Sequence, residues 1–138
     1  MMVIEDVMSR SVVTLKPEQT LRDAIDLLRS KHIRHLPVVE GGKLVGIVSD
    51  RDVKRTTPSL VGGIERDEYD EALDATKVSR FMTRDPITVS PRTGLKAAVA
   101  IFIERKVGAL PVIGPDGALA GIVTEIDLLR VLHGMLAD

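Results

Sequence analysis

Two pairs of residues have the types and spacing to do chemistry: Ser49 with Asp52, and, 75 positions later, Thr124 with Asp127. Each pair closes an apolar run, Gly46-Ile47-Val48 in one case and Gly121-Ile122-Val123 in the other. A hydroxyl three residues ahead of a carboxylate, at the end of a strand, puts both groups on one side of the helix start that follows. The unpartnered N–H groups there suit a phosphate, and the hydroxyl adds a donor. The acid can accept two hydrogen bonds from a vicinal diol such as a ribose. The same letters also spell a capping box, which would add about 1 kcal/mol of stability and no binding at all. Two details favour binding. Between hydroxyl and acid, Arg51 has become Ile126 while the polar ends are kept, and a glycine inside a strand often marks the close approach of another group.

The elements that hold these pairs occur twice. Met8-Ser9-Arg10, Thr14, Pro17, Leu21 and Leu36-Pro37-Val38 reappear as Met82-Thr83-Arg84, Thr88, Pro91, Leu95 and Leu110-Pro111-Val112, at an offset of 74 that becomes 75 after the last triplet. Each copy reads as strand, helix, strand, strand, helix. Residues 12–15 and 87–89 are short β-branched segments stopped by Lys16-Pro17 and Ser90-Pro91. Thr20 and Asp23 mark a helix start, with Leu21, Ala24, Ile25 and Leu28 on one face; Leu95, Ala98, Val99 and Phe102 repeat that face. Glycine-bearing turns at 40–43 and 114–117 predict hairpins. The run 44–48 is apolar without alternation, which predicts a strand covered on both faces. Closing helices are expected over 50–55 and 125–135. The organisation is therefore α+β, with repeat one over 1–55 including a lead-in, a linker over 56–79, and repeat two over 80–138. Within the linker, residues 65–74 predict an acidic helix whose apolar stripe is Tyr69, Ala72 and Leu73 and whose charges form a solvated face.

Composition narrows the function classes. A formal net charge of −1 gives no general attraction to nucleic acid or anionic membrane, and the aromatics are only Tyr69, Phe81 and Phe102, so stacking platforms for bases are missing. No apolar run is long enough to span a bilayer, and the opening residues lack a basic, apolar signal pattern, so a cytoplasmic location is expected. Zero cysteines remove thiol chemistry and zinc–thiolate sites. No nucleophile elbow, phosphate-binding glycine loop or paired-carboxylate spacing is present, and His32 with His35 lacks further ligands at metal spacing. Neither an enzyme nor a metal site is expected.

The doubled pattern Thr14 … Leu36-Pro37-Val38 … Gly46-Ile47-Val48-Ser49-Asp50-Arg51-Asp52 resembles a tandem pair of cystathionine-β-synthase (CBS) domains, a Bateman module. The likeness covers residues 5–133, and the linker with its ending Lys77 to Thr83 resembles free-standing bacterial proteins related to the acetoin-utilisation CBS protein. The resemblance implies two βαββα units packed about a pseudo-two-fold axis, with clefts for adenosine-containing ligands: AMP, ADP, ATP or S-adenosylmethionine, acting as regulators rather than catalytic cofactors. It implies that Asp52 and Asp127 hold ribose, and that Ser49 and Thr124 meet phosphate or ribose. Val13, Thr14, Ile87 and Thr88 would edge the adenine, with Pro37 and Pro111 as apolar walls. Arg34 and His35, Gly108 and Ala109, and Arg51 complete the lining. Because the first copy has Arg34 and His35 where the second has Gly108 and Ala109, unequal clefts are expected, the first suited to a phosphorylated ligand. The resemblance also implies a homodimer that signals to a protein target, with Leu128, Val131, Leu132 and Met135 exceeding one core's needs. A ligand-free dimerisation or scaffolding unit is the alternative.

Overall fold

The computed structural model describes residues 1–138, which fall into two units. One is Val13–Asp85; the other joins Met1–Val12 to Pro86–Asp138. The division differs from the boundaries expected from the sequence. The first lead-in folds with the second repeat, and the second lead-in folds with the first.

In the Val13–Asp85 unit, α1 (Leu21–Lys31) is followed by β1 (His35–Glu40), β2 (Lys43–Ser49), α2 (Asp50–Thr56), α3 (Arg66–Ala75), α4 (Val78–Phe81) and β3 (Thr83–Arg84). The sheet order is β1-β2-β3, all antiparallel neighbours. Gly41 and Gly42 have φ of +58° and +79°, the left-handed pair that a two-residue hairpin turn requires. The expected strand at 12–15 shrinks to a one-residue bridge. Leu15 runs parallel to β1, donating to the Pro37 carbonyl at 2.9 Å and accepting from the Val39 N–H at 2.8 Å. Pro17, two residues on, stops the ladder from extending beyond Leu15 toward the helix. Along β2 burial alternates, with Gly46 and Val48 buried and Leu44, Val45 and Ile47 half-covered, so the expected full cover on both faces is only partly realised.

Leu15, Leu21, Ala24, Leu36, Val38, Val48 and Val78 are fully buried and form this unit's core. Leu73 of the linker joins it and Tyr69 packs against it. The acidic helix therefore exists as α3, but its charges are not merely solvated. Arg22 donates to Asp74 at 2.6 Å and reaches Asp70 at 3.4 Å, tying α3 to α1. The Asp74 hydrogen bond is the main cause holding the Arg22 guanidinium above its ordinary pKa.

The Met1–Val12 and Pro86–Asp138 unit repeats the plan with α5 (Leu95–Arg105), β4 (Ala109–Ile113), β5 (Leu119–Thr124) and α6 (Glu125–Met135). Val89 bridges Val112 as Leu15 bridges Val38, and Ser9 pairs with Ile122 where β3 pairs with β2. The ladders even share an irregularity at the same point, between Val38 and Val39 and between Val112 and Ile113. Ile4, Ala98, Leu110, Val112 and Val123 form the core, with Val89, Met8 and Phe102 packed around them. Ile4 and Met8 are what this lead-in buries, and Val78 and Met82 do the same in the other unit. No helix is long and apolar enough to cross a membrane.

Candidate functional site

Gly46 and Gly121 show why the lead-ins sit where they do. A Cβ on Gly46 would lie 2.7 Å from the Met82 Sδ and 2.9 Å from the Thr83 carbonyl oxygen. A Cβ on Gly121 would lie 2.6 Å from the Ser9 carbonyl and 2.8 Å from the Met8 Sδ. The close approach read from these glycines is thus filled by the chain's own lead-in backbone, not left open for a ligand.

Three residues beyond Gly46, β2 ends and α2 begins. Ser49 is the cap: its Oγ accepts from the Asp52 N–H at 3.2 Å. Asp52 Oδ2 in turn accepts from the Ser49 N–H at 2.9 Å and from the Ser49 Oγ at 3.1 Å. Asp52 Oδ1 takes the Arg55 guanidinium. In the other unit, Asp127 Oδ2 accepts from the Thr124 N–H at 2.8 Å and the Thr124 Oγ1 at 3.3 Å, while Arg130 stands 3.8 Å from Oδ1. The capping box is therefore formed in both copies. It is formed a third time by Thr20 and Asp23 at the start of α1, where the second repeat has Gly94 instead. The helix-start N–H groups expected to seat phosphate are already partnered at Asp52, and α2 is only seven residues long.

Capping does not exhaust Asp52. It is the one charged residue in the buried set, at 5% exposure, and it lies on the wall of a hollow of about 480 Å³. Ser49, Arg51, Asp52, Lys54, Arg55 and Thr83 line it, all from one unit. An ionised carboxylate has about four acceptor positions. Three are occupied here, and the third is held by Arg55, whose side chain is 76% exposed and free to swing outward.

Of the residues expected from the sequence, Ser49, Arg51 and Asp52 line this hollow; Val13, Thr14, Arg34, His35 and Pro37 do not. His35 is nonetheless brought beside it, opposite Ser49 in the β1–β2 ladder, and the Arg34 carbonyl accepts from the Asp50 N–H at 3.0 Å. Thr14 is exposed, next to the Leu15 bridge. Pro37 and Pro111 are fully buried, and both carbonyls accept from the parallel Leu15 and Val89 segments. In the other unit Ala109 pairs with Thr124, the Gly108 carbonyl accepts from the Glu125 N–H at 3.4 Å, and Ile87 and Thr88 lead into the Val89 bridge. Ala109 is buried at 6% exposure, leaving little side chain for a ligand. His32 has φ of +54° and caps α1 in the left-handed region, a backbone duty shared by Lys106 on α5.

Sequence reasoning missed Lys54, Arg55 and Thr83. The repeat carried a signal for Thr83, because Ser9-Arg10 and Thr83-Arg84 keep a hydroxyl and a cation at matching points. The crossed lead-in hid which repeat it would serve.

The comparisons with known proteins match the doubled organisation of the chain. The CBS domain family model matches residues 4–58 and again 78–134. A Dictyostelium discoideum CBS domain-containing protein is 34% identical over 135 residues, 97% of this chain and 93% of its own length. A Vibrio cholerae structure described as the acetoin utilization protein AcuB superposes with a TM-score of 0.81 at 33% identity, covering 98% of this chain and 93% of that one. CBSX2, a CBS-pair protein of Arabidopsis thaliana solved in complex with AMP, superposes with a TM-score of 0.77 at 30% identity over 96% of this chain and 97% of its own.

Proposed function

The chain belongs to the CBS-domain family, as a tandem pair, and we propose that it is a regulatory module that senses an adenosine-containing ligand. The observation that carries this reading is the buried Asp52 carboxylate on the wall of a hollow that also offers hydroxyls and cations. The similarity to an AMP-bound CBS pair supports it. In the proposed complex, ribose hydroxyls bond Asp52 Oδ1 once Arg55 swings away, and Arg55 turns to phosphate. Ser49 keeps its cap and so fixes where the carboxylate points. Asp127 would offer the other unit the same grip. Catalysis is no part of the proposal: the protein would act on a target in trans, in the cytoplasm where such ligands are made.

A thermal-shift panel of adenosine, AMP, ADP, ATP and S-adenosylmethionine tests it. A ligand at 100 times its dissociation constant stabilises by about 2.7 kcal/mol, a shift of several degrees at this size. No shift with any of the five, or full shifts in both Asp52→Ala and Asp127→Ala, sinks the reading. A second reading, assembly without a ligand, is favoured by α6, where Ile126, Leu129, Leu132 and Met135 are all about half exposed or more. Of the apolar excess expected on this helix, Leu132 and Met135 are indeed exposed, while Leu128 packs against the core and Val131 is half-buried. A homodimer through that face belongs to the same proposal. Sedimentation should show it, with Leu129→Glu returning monomers.

A further inference from the structure

The two units share a scaffold and a cap, but the α2 and α6 faces beside the cap differ in charge. In register, Ser49-Asp50-Arg51-Asp52-Val53-Lys54-Arg55 lies over Thr124-Glu125-Ile126-Asp127-Leu128-Leu129-Arg130. Arg51 and Lys54, both exposed on the hollow, correspond to Ile126 and Leu129, which are 53% and 55% exposed. Arg55 corresponds to Arg130. One helix thus carries three cations around a buried carboxylate, and its counterpart carries one cation and two bare aliphatic side chains.

We infer that the α2 hollow selects a ligand with a polyanionic tail, a nucleoside di- or triphosphate, over a monophosphate or a sulfonium nucleoside. The inference rests on the binding role proposed for Asp52 and adds what that role leaves open, the charge of the tail. Arg55 is held by Asp52 and is the cation that the ribose displaces, so it reaches the first phosphate. Arg51 and Lys54 stand three residues apart on the same short helix and meet the charges beyond it. A sulfonium ligand would bring a positive charge among three others. Thr83, from β3, adds a neutral residue to the lining, so nothing there but Asp52 repels an anion. A volume of about 480 Å³ accommodates an extended phosphate tail with its sugar.

Exposed ion pairs are worth roughly a factor of two to five each, so two further cations should favour ATP over AMP by about tenfold at low salt. Binding of AMP, ADP, ATP and S-adenosylmethionine to the full chain is measured by calorimetry at low and physiological salt. ATP should bind tightest, with an advantage that narrows as salt rises. In Arg51→Ala and Lys54→Ala, the ATP-to-AMP affinity ratio should fall roughly threefold each, whatever happens to AMP itself. Arg130→Ala on α6 should leave the ratio unchanged. Equal affinity for AMP and ATP, or a preference for S-adenosylmethionine lost on Asp52→Ala, overturns the charge selection while leaving the nucleoside site standing. A ratio that follows Arg130 rather than Arg51 and Lys54 overturns the assignment to α2. Absence of binding by all four removes the site and the selection together.

Discussion

Replacing Gly121 by alanine tests whether the lead-in is held against β5 by close backbone approach. The added methyl would sit 2.6 Å from the Ser9 carbonyl oxygen and 2.8 Å from the Met8 Sδ. The sulfur ends a flexible side chain and can turn aside; the carbonyl cannot, because Ser9 and Ile122 exchange two backbone bonds, at 2.9 and 3.0 Å. The lead-in must therefore lift from β5. Overpacking of this kind costs about 1–3 kcal/mol, and weakening two backbone bonds adds about 1 kcal/mol. Gly121→Ala should thus lose roughly 2–4 kcal/mol, a fall in Tm on the order of 10 °C. Gly46→Ala should behave alike, since its methyl meets the Thr83 carbonyl at 2.9 Å. Gly42→Ala is the control: it has φ of +79° and nothing within 4 Å, so it carries only the strain of a left-handed residue, about 1 kcal/mol. Hydrogen exchange gives the local reading. In Gly121→Ala the amides of Ser9 and Ile122 should lose protection before those of β4. Should either strand variant melt within a degree of the wild type, the lead-in is not held as described.

Asp52→Ala should destabilise by about 2 kcal/mol even without ligand, because it removes the carboxylate half of the capping box and strands the Ser49 N–H, while the Ser49 Oγ cap itself survives; urea titration reads it. Asp127→Ala should cost less, about 1 kcal/mol, since its carboxylate is more exposed, at 17% against 6%. Leu36→Ala and Leu110→Ala, both fully buried at matching positions, should each lose about 2–5 kcal/mol; a much smaller loss in one would show that the two cores are not equivalent. Arg22→Ala should speed amide exchange through α3 while leaving α5 unchanged, as α3 is tied to α1 by that guanidinium.

Much of the fold was legible because it is doubled. The helical faces of α1 and α5, the glycine turns and the start of α6 all follow from local periodicity and backbone chemistry. Local patterns fail where the partner is distant. Residues 12–15 look like a strand, yet only Leu15 finds a ladder partner. The lead-in Met8-Ser9-Arg10 looks like the start of repeat one, yet its pairing partner is Ile122, 113 positions away from Ser9. No short-range signal marks that exchange. The acidic stretch 65–74 was readable as a helix, but its ion pairs depend on Arg22, 48 and 52 positions back.

The capping geometry also changes which residues carry information about the ligand. Ser49 and Asp52 match Thr124 and Asp127 in both copies, and each pair closes the turn that launches a helix; the fold alone requires that. Retention between repeats is therefore what scaffold duty predicts, and it does not by itself separate a cap from a binding carboxylate. The same tetrad at Thr20 and Asp23 caps α1, and there the second repeat dispensed with it. What distinguishes Asp52 is its surroundings rather than its motif. Arg51, Lys54 and Arg55 crowd a cavity at the end of β2, and two of those three are not kept in α6. Differences between duplicated halves are free of the demands that the shared fold imposes. Any division of labour between the units is thus to be sought in Arg51 against Ile126 and Lys54 against Leu129, the positions where the copies disagree.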